Sequence, residues 1–130
     1  MLFNAKFMRG SLLGAMSLIA GAAQAATFTV DSDTSGPAGA GDCSGTIPGT
    51  CTLAAAIAEA NGSAGVDIIE FDTGGPIILN NALPAITESL TVSGPITIDA
   101  TPSAAPDRVR IFQITAAGDY SLGDLTLENA

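Results

Sequence analysis

Few side chains in this 130-residue sequence could do chemistry, and most of them lie between residues 31 and 51. Asp31-x-Asp33-x-Ser35-Gly36, with Asp42 at the twelfth position, has the oxygen-rich spacing of a loosened EF-hand loop. That makes Asp31, Asp33, Ser35 and Asp42 the candidate Ca²⁺ ligands. Three features argue for an ordinary acidic turn instead. A strand-like run precedes the loop, position 12 is Asp and not the longer bidentate Glu, and "GPAGAG" is looser than a Ca²⁺ loop requires. Two cysteines, Cys43 and Cys51, close the same region. The chain has no histidine, which excludes Ser-His and Cys-His catalysis and leaves the cysteines without partners for a zinc set. No Gly-rich phosphate loop stands between a strand and a helix. Arg108 and Arg110 lie two apart and point the same way if extended, which suits pairing with nearby surface acids. No catalytic constellation is expected, and no cofactor beyond the Ca²⁺ candidate.

The amino-terminal residues set the compartment. "MLFNAKFMRG" carries Lys6 and Arg9, an apolar run extends from Leu12 through Ala23, and Ala23-Gln24-Ala25 supplies an A-x-A site. This is the three-part pattern of a secretory signal peptide over residues 1–25, with cleavage expected after Ala25. The apolar run is shorter than the roughly 20 residues that span a bilayer. The expected products are export to the cell surface, the periplasm or the medium, and a single mature domain over residues 26–130. An exported chain meets an oxidising compartment, so Cys43 and Cys51 are expected to form a disulfide. Removal of Lys6 and Arg9 leaves Arg108 and Arg110 against all 13 acidic residues, a formal charge of −11. Such a surface repels phosphate backbones, and nucleic acid is excluded as a partner.

The elements around these residues read mostly as strands and turns. "ATFTV" (26–30) alternates apolar and polar residues and reads as a first strand. "CTLAAAIAEANG" (51–62) reads as a short helix. Thr52 is its expected N-cap, and Leu53, Ala56, Ile57 and Ala60 make one apolar face. Asn61-Gly62 is the expected stop, both residues tolerating the left-handed conformation. Asn61-Gly62-Ser63 also fits a glycosylation sequon, although the helix stop is the more economical role. A helix this short needs the following sheet as support. "VDIIEF", "PIIL", "SLTV", "ITIDA", "VRIFQIT" and "LTLEN" read as short strands separated by Gly, Pro and Asn turns.

"SGPITIDA" superposes on "LGDLTLENA" at an offset of 29 residues, with Ile96 on Leu125, Thr97 on Thr126 and Ile98 on Leu127. "LTV" (90–92) lies over "FQI" (112–114) at an offset of 22. Irregular periods of this size predict an all-β solenoid of β-coils, in which Gly94-Pro95 makes a corner. The alternative is an antiparallel β-sandwich.

The ordered set "TFTV", "CTLAAAIAEAN", "VDIIEFD", "LPAITESLTVSG", "ITIDA" and "LTLENA" resembles the N-terminal part of the CSLREA-domain proteins, over residues 26–130. The name-giving motif stands here as Cys51-Thr52-Leu53-Ala54-Ala55-Ala56. Ala54 and Ala55 replace the family's arginine and glutamate, so half of a capping box is lost, and the helix start should be weaker by roughly 0.5–1 kcal/mol. The resemblance implies an exported bacterial right-handed parallel β-helix. The helix would be a disulfide-anchored lid on its first coil, because an open coil exposes unpaired backbone. By analogy with hydrolytic β-helix enzymes, Asp99, Asp107, Arg108 and Arg110 are the places to look for catalysis, and surface pairing is the preferred reading of them.

The expected function is therefore a structural or adhesin-like exported protein, with an extracellular surface or polysaccharide as partner. The alternative is the N-terminal part of a carbohydrate-active lyase or hydrolase. "LTLENA" ends on a strand-like run without a cap, which predicts either a longer protein or self-association through this last coil.

Overall fold

The computed structural model describes residues 23–36, 41–100 and 110–129. Most of the expected leader, and also Asp107 and Arg108, lie outside them. Among the described residues no helix is long and apolar enough to cross a membrane. The elements are β1 (Thr27–Val30), α1 (Leu53–Ala60), β2 (Asp67–Phe71), β3 (Ile77–Ile78), β4 (Leu90–Asp99) and β5 (Tyr120–Glu128).

Every pairing between these strands is parallel. β1 lies on β2 with Thr27 opposite Ile68, and β2 lies on the first half of β4 with Asp67 opposite Leu90. β3 continues along the same edge of β4, with Ile77 opposite Ile98. β5 covers the other edge of β4 from Leu90↔Tyr120 to Asp99↔Glu128. The result is one five-stranded parallel sheet with one short helix. The expected right-handed β-helix is not what these elements make, and the parallel pairing equally removes the antiparallel sandwich.

The correction turns on Gly94-Pro95. A solenoid needs a corner there, with "SLTV" and "ITIDA" on different faces. Instead the two runs are a single ten-residue strand, and Gly94-Pro95 is an irregularity inside it. Ser93 pairs with Gly123 and Ile96 with Leu125, so two residues of β4 stand opposite one residue, Asp124, of β5. Such a bulge bends a strand without ending it. Gly94 takes φ +149° and Asp124 takes φ +56°. Leu90, Val92, Ile96 and Ile98, at alternate positions along β4, are all buried.

The superposition of Ile96, Thr97 and Ile98 on Leu125, Thr126 and Leu127 is the observed register of β4 on β5. That of "LTV" on "FQI" is not, since Leu90, Thr91 and Val92 pair with Tyr120, Ser121 and Leu122. "PIIL" shortens to Ile77–Ile78, and "FQIT" contributes an isolated bridge between Ile114 and Ile86.

α1 packs beside β1 and β2, and Leu53 and Ile57 are fully buried. Thr52 is the N-cap, its Oγ1 accepting the Ala55 N–H at 3.1 Å. Burial runs well beyond one amphipathic face. Ala54 and Ala55 are 0% and 2% exposed, and Glu59 is the open position. Both alanines thus lie inside the packing, where the charged head of an arginine or a glutamate would be buried. The helix stops at Asn61, the expected position, but not in the left-handed conformation. Asn61 is right-handed, with φ −63°, and the last turn closes through Gly62 N–H to Glu59 O and Ser63 N–H to Ala60 O.

Candidate functional site

The described parts of this region, residues 31–36 and 41–51, form a small knot at the end of β1. Asp31 leaves the strand and turns its carboxylate back on the disulfide loop. Oδ1 accepts the Cys51 N–H at 2.8 Å, and Oδ2 accepts the Gly49 N–H at 2.7 Å. Cys43 and Cys51 stand at disulfide distance, S–S 2.01 Å with Cα atoms 4.5 Å apart. The Cys43 N–H donates to Glu59 of α1 at 3.1 Å, so the loop is tied to strand and helix together. Asp42 Oδ1 accepts the Ser44 N–H at 2.8 Å, and the Thr50 hydroxyl donates to the Asp42 and Ile47 carbonyls. The Ser44 hydroxyl, and then its N–H, hold the exposed Asp42 carboxyl below its ordinary value of 3.8.

Two adjoining clefts flank this knot. One, of about 320 Å³, is lined by Thr27, Thr29, Asp31, Asp42 and Asp72. The other, of about 560 Å³, is lined by Asp31, Asp33, Asp72 and Thr73. Both walls are acidic.

The Ca²⁺ candidates do not converge. Asp31 has both oxygens on backbone N–H groups. Ser35 is fully buried, and its hydroxyl accepts the Asn80 N–H at 3.0 Å. Asp33 offers its main-chain carbonyl to the Ile78 N–H at 3.1 Å, and Asp42 closes its own turn. Among the described residues no three carboxylates or cysteines are grouped to hold a metal ion. The loop is a fastening that joins β1, the disulfide and the edge at β3.

Of the carboxylate and guanidinium candidates, the described residues include Asp99 and Arg110. Asp99 accepts from the Asn129 side chain at 2.7 Å, and Arg110 is exposed.

Two polar residues carry roles that sequence reasoning missed. The Asn61 side chain donates to Ala85 O at 2.8 Å and accepts the Thr87 N–H at 2.8 Å, clamping the loop before β4 to the end of α1. Its amide nitrogen, the atom a glycan would take, is thereby occupied. Asp67 is buried at the start of β2, with Oδ1 on the Ala26 N–H. The alternation of Asp67 with inward Ile69 was the available signal for it. For Asn61 there was none, since its partners lie 24 and 26 residues away.

Comparison with family models, with curated proteins and with solved structures finds no match, so the CSLREA resemblance rests on the quoted residues alone.

Proposed function

We propose that the chain is an exported structural or adhesive module that works by presenting surface, not by turnover. The observation that carries this reading is the use made of its polar side chains. Asp31, Ser35, Asp42 and Asn61 each satisfy main-chain groups and brace loops. A disulfide-distance pair next to that bracing, and the leader pattern ahead of β1, support life outside the cytoplasm. The strongly acidic surface favours neutral or cationic extracellular partners over nucleic acid or anionic headgroups.

β5 supports a place for self-association. β4 pairs along one edge, and among the described residues no strand pairs along the other. Leu122 and Leu127 are each 46% exposed beside that edge. An open edge with exposed apolar side chains invites another strand.

The test is to express the full chain with its leader in a bacterial host, fractionate the cells and purify the exported product. The product is then assayed for retention on, and degradation of, a panel of polysaccharides and cell surfaces. Export and retention without degradation are the expected result. Release of sugar fragments, lost on Asp33→Asn or Asp72→Asn in the acidic clefts, would replace this reading with the carbohydrate-active one. Sedimentation checks self-association, which Leu122→Asp with Leu127→Asp should abolish.

A further inference from the structure

Asp67 poses the sharpest unanswered question in the core. It is fully buried. Its Oδ1 accepts the Ala26 N–H at 2.7 Å and the Ser63 hydroxyl at 3.3 Å, whereas Oδ2 is buried without any partner. A buried carboxylate with one oxygen unsatisfied is costly, and a native fold normally supplies the missing donor or charge. Arg110, the sole cation among the described residues, is exposed.

The missing group is latent in the residue already touching Asp67. Ala26 follows directly on Ala23-Gln24-Ala25, the A-x-A triplet. Those three residues are exposed, while Ala26 is half-buried. The Ala26 carbonyl accepts the Ile68 N–H at 2.8 Å, so pairing with β2 holds the residue in place without help from the leader.

We propose that the Ala25–Ala26 bond is the processing site, and that the new α-ammonium of Ala26 forms an ion pair with the buried Asp67 carboxylate. This rests on the export reading above. In the cleavage a signal peptidase adds one water across the bond. The hydroxyl goes to the Ala25 carbonyl carbon, which leaves with the leader as a carboxylate, and the Ala26 nitrogen becomes an amine. With an ordinary pKa of about 7.7–8.0, that amine takes up a proton at neutral pH. One amide donor becomes an ammonium with three donors and a full positive charge, enough to serve Oδ1 and Oδ2 together. Maturation thus completes the start of β1 against β2, and the unprocessed chain keeps an uncompensated acid in its core.

The composition makes the test clean. Lys6 is the sole lysine, so the processed chain has one primary amine, that of Ala26. The exported product is weighed by mass spectrometry and then acylated at neutral pH, native and unfolded in urea. The ion pair favours the protonated form, and one unit of pKa is tenfold in free amine, so native labelling should be slower by about tenfold or more. A chain beginning at Gln24 should label as fast native as unfolded, and should unfold at lower urea than the processed chain. Asp67→Asn should remove the protection. If that variant fails to fold, the Gln24 chain decides. Equal labelling of the native and unfolded processed chain overturns the pairing. A mature start other than Ala26 overturns the site assignment while leaving export standing. Retention in the cytoplasm with the leader attached sinks the export reading instead, and the pairing is then judged on a chain released at Ala26 by removing a fusion partner.

Discussion

Asp31 and Cys51 bind each other reciprocally across 20 residues of sequence. The Asp31 carboxylate accepts the Cys51 N–H at 2.8 Å, and the Cys51 carbonyl accepts the Asp31 N–H at 3.1 Å. Asp31→Ala strands the N–H groups of Cys51 and Gly49 and should cost about 1–3 kcal/mol in urea unfolding. Asp31→Asn keeps one acceptor oxygen and should cost less. Since the carboxylate is spent on the backbone, calorimetry with micromolar Ca²⁺ should show no heat of binding. A site abolished by Asp31→Ala would show that the loop opens to take the ion.

Asn61 joins α1 to the 85–87 segment by two hydrogen bonds. Asn61→Ala should destabilise the fold by about 1–3 kcal/mol, because the Thr87 N–H loses its acceptor. Asn61→Asp keeps that acceptor, loses the donor to Ala85 O, and should fall between. In a host that glycosylates exported chains, the intact mass should show Asn61 unmodified in folded protein.

Gly94 and Gly123 stand at the same bulge but should respond differently to a methyl group. Gly94 has φ +149°, and an added Cβ would come within 3.2 Å of the Phe71 ring. Gly94→Ala should cost roughly 1–2 kcal/mol. Nothing lies within 4 Å of a Cβ at Gly123, so Gly123→Ala should stay within about 0.5 kcal/mol of wild type. Equal urea midpoints for the two variants would mean that the bulge tolerates a side chain on both strands.

Asp42 has the titration to follow. Its carboxyl is held below 3.8 by Ser44, so it adds stability above its unfolded pKa, and that stability fades as pH falls through the lower folded value. The NMR titration of Asp42 should have its midpoint below 3.8. Ser44→Ala removes the hydroxyl while keeping the N–H, and should move the midpoint partway back up. Because Asp42 lies at the surface and is only part-buried, the effect on overall acid stability should be slight.

What was legible in the sequence was what neighbours along the chain decide. The helix could be read from the spacing of Leu53, Ala56, Ile57 and Ala60 and from Thr52 ahead of them, because capping and helical periodicity act within a few residues. The Cys43–Cys51 pair could be read for the same reason, with one possible partner nearby. β1 followed from alternation, β2 from a strand-like run between turn residues, and the match of Ile96–Ile98 to Leu125–Leu127 from like residues stacking on like in a parallel register.

What only the tertiary structure decided were the matters settled by partners distant in sequence. Gly94-Pro95 has the composition of a corner. It lies inside a strand because β5 offers Asp124 at φ +56° opposite it, and the ladder resumes on the far side. Asp31, Asp33, Ser35 and Asp42 have the composition of an ion site. The side chains of Asp31, Ser35 and Asp42 brace backbone because the knot brings the N–H groups of Gly49, Cys51, Asn80 and Ser44 within reach. Asp67 looks like any acid at the start of a strand. Its burial against Ala26 is a product of β1 lying on β2, and no local rule contains that pairing. Side-chain type sets which bonds a residue can make, and the packing of remote segments sets which of them it does make.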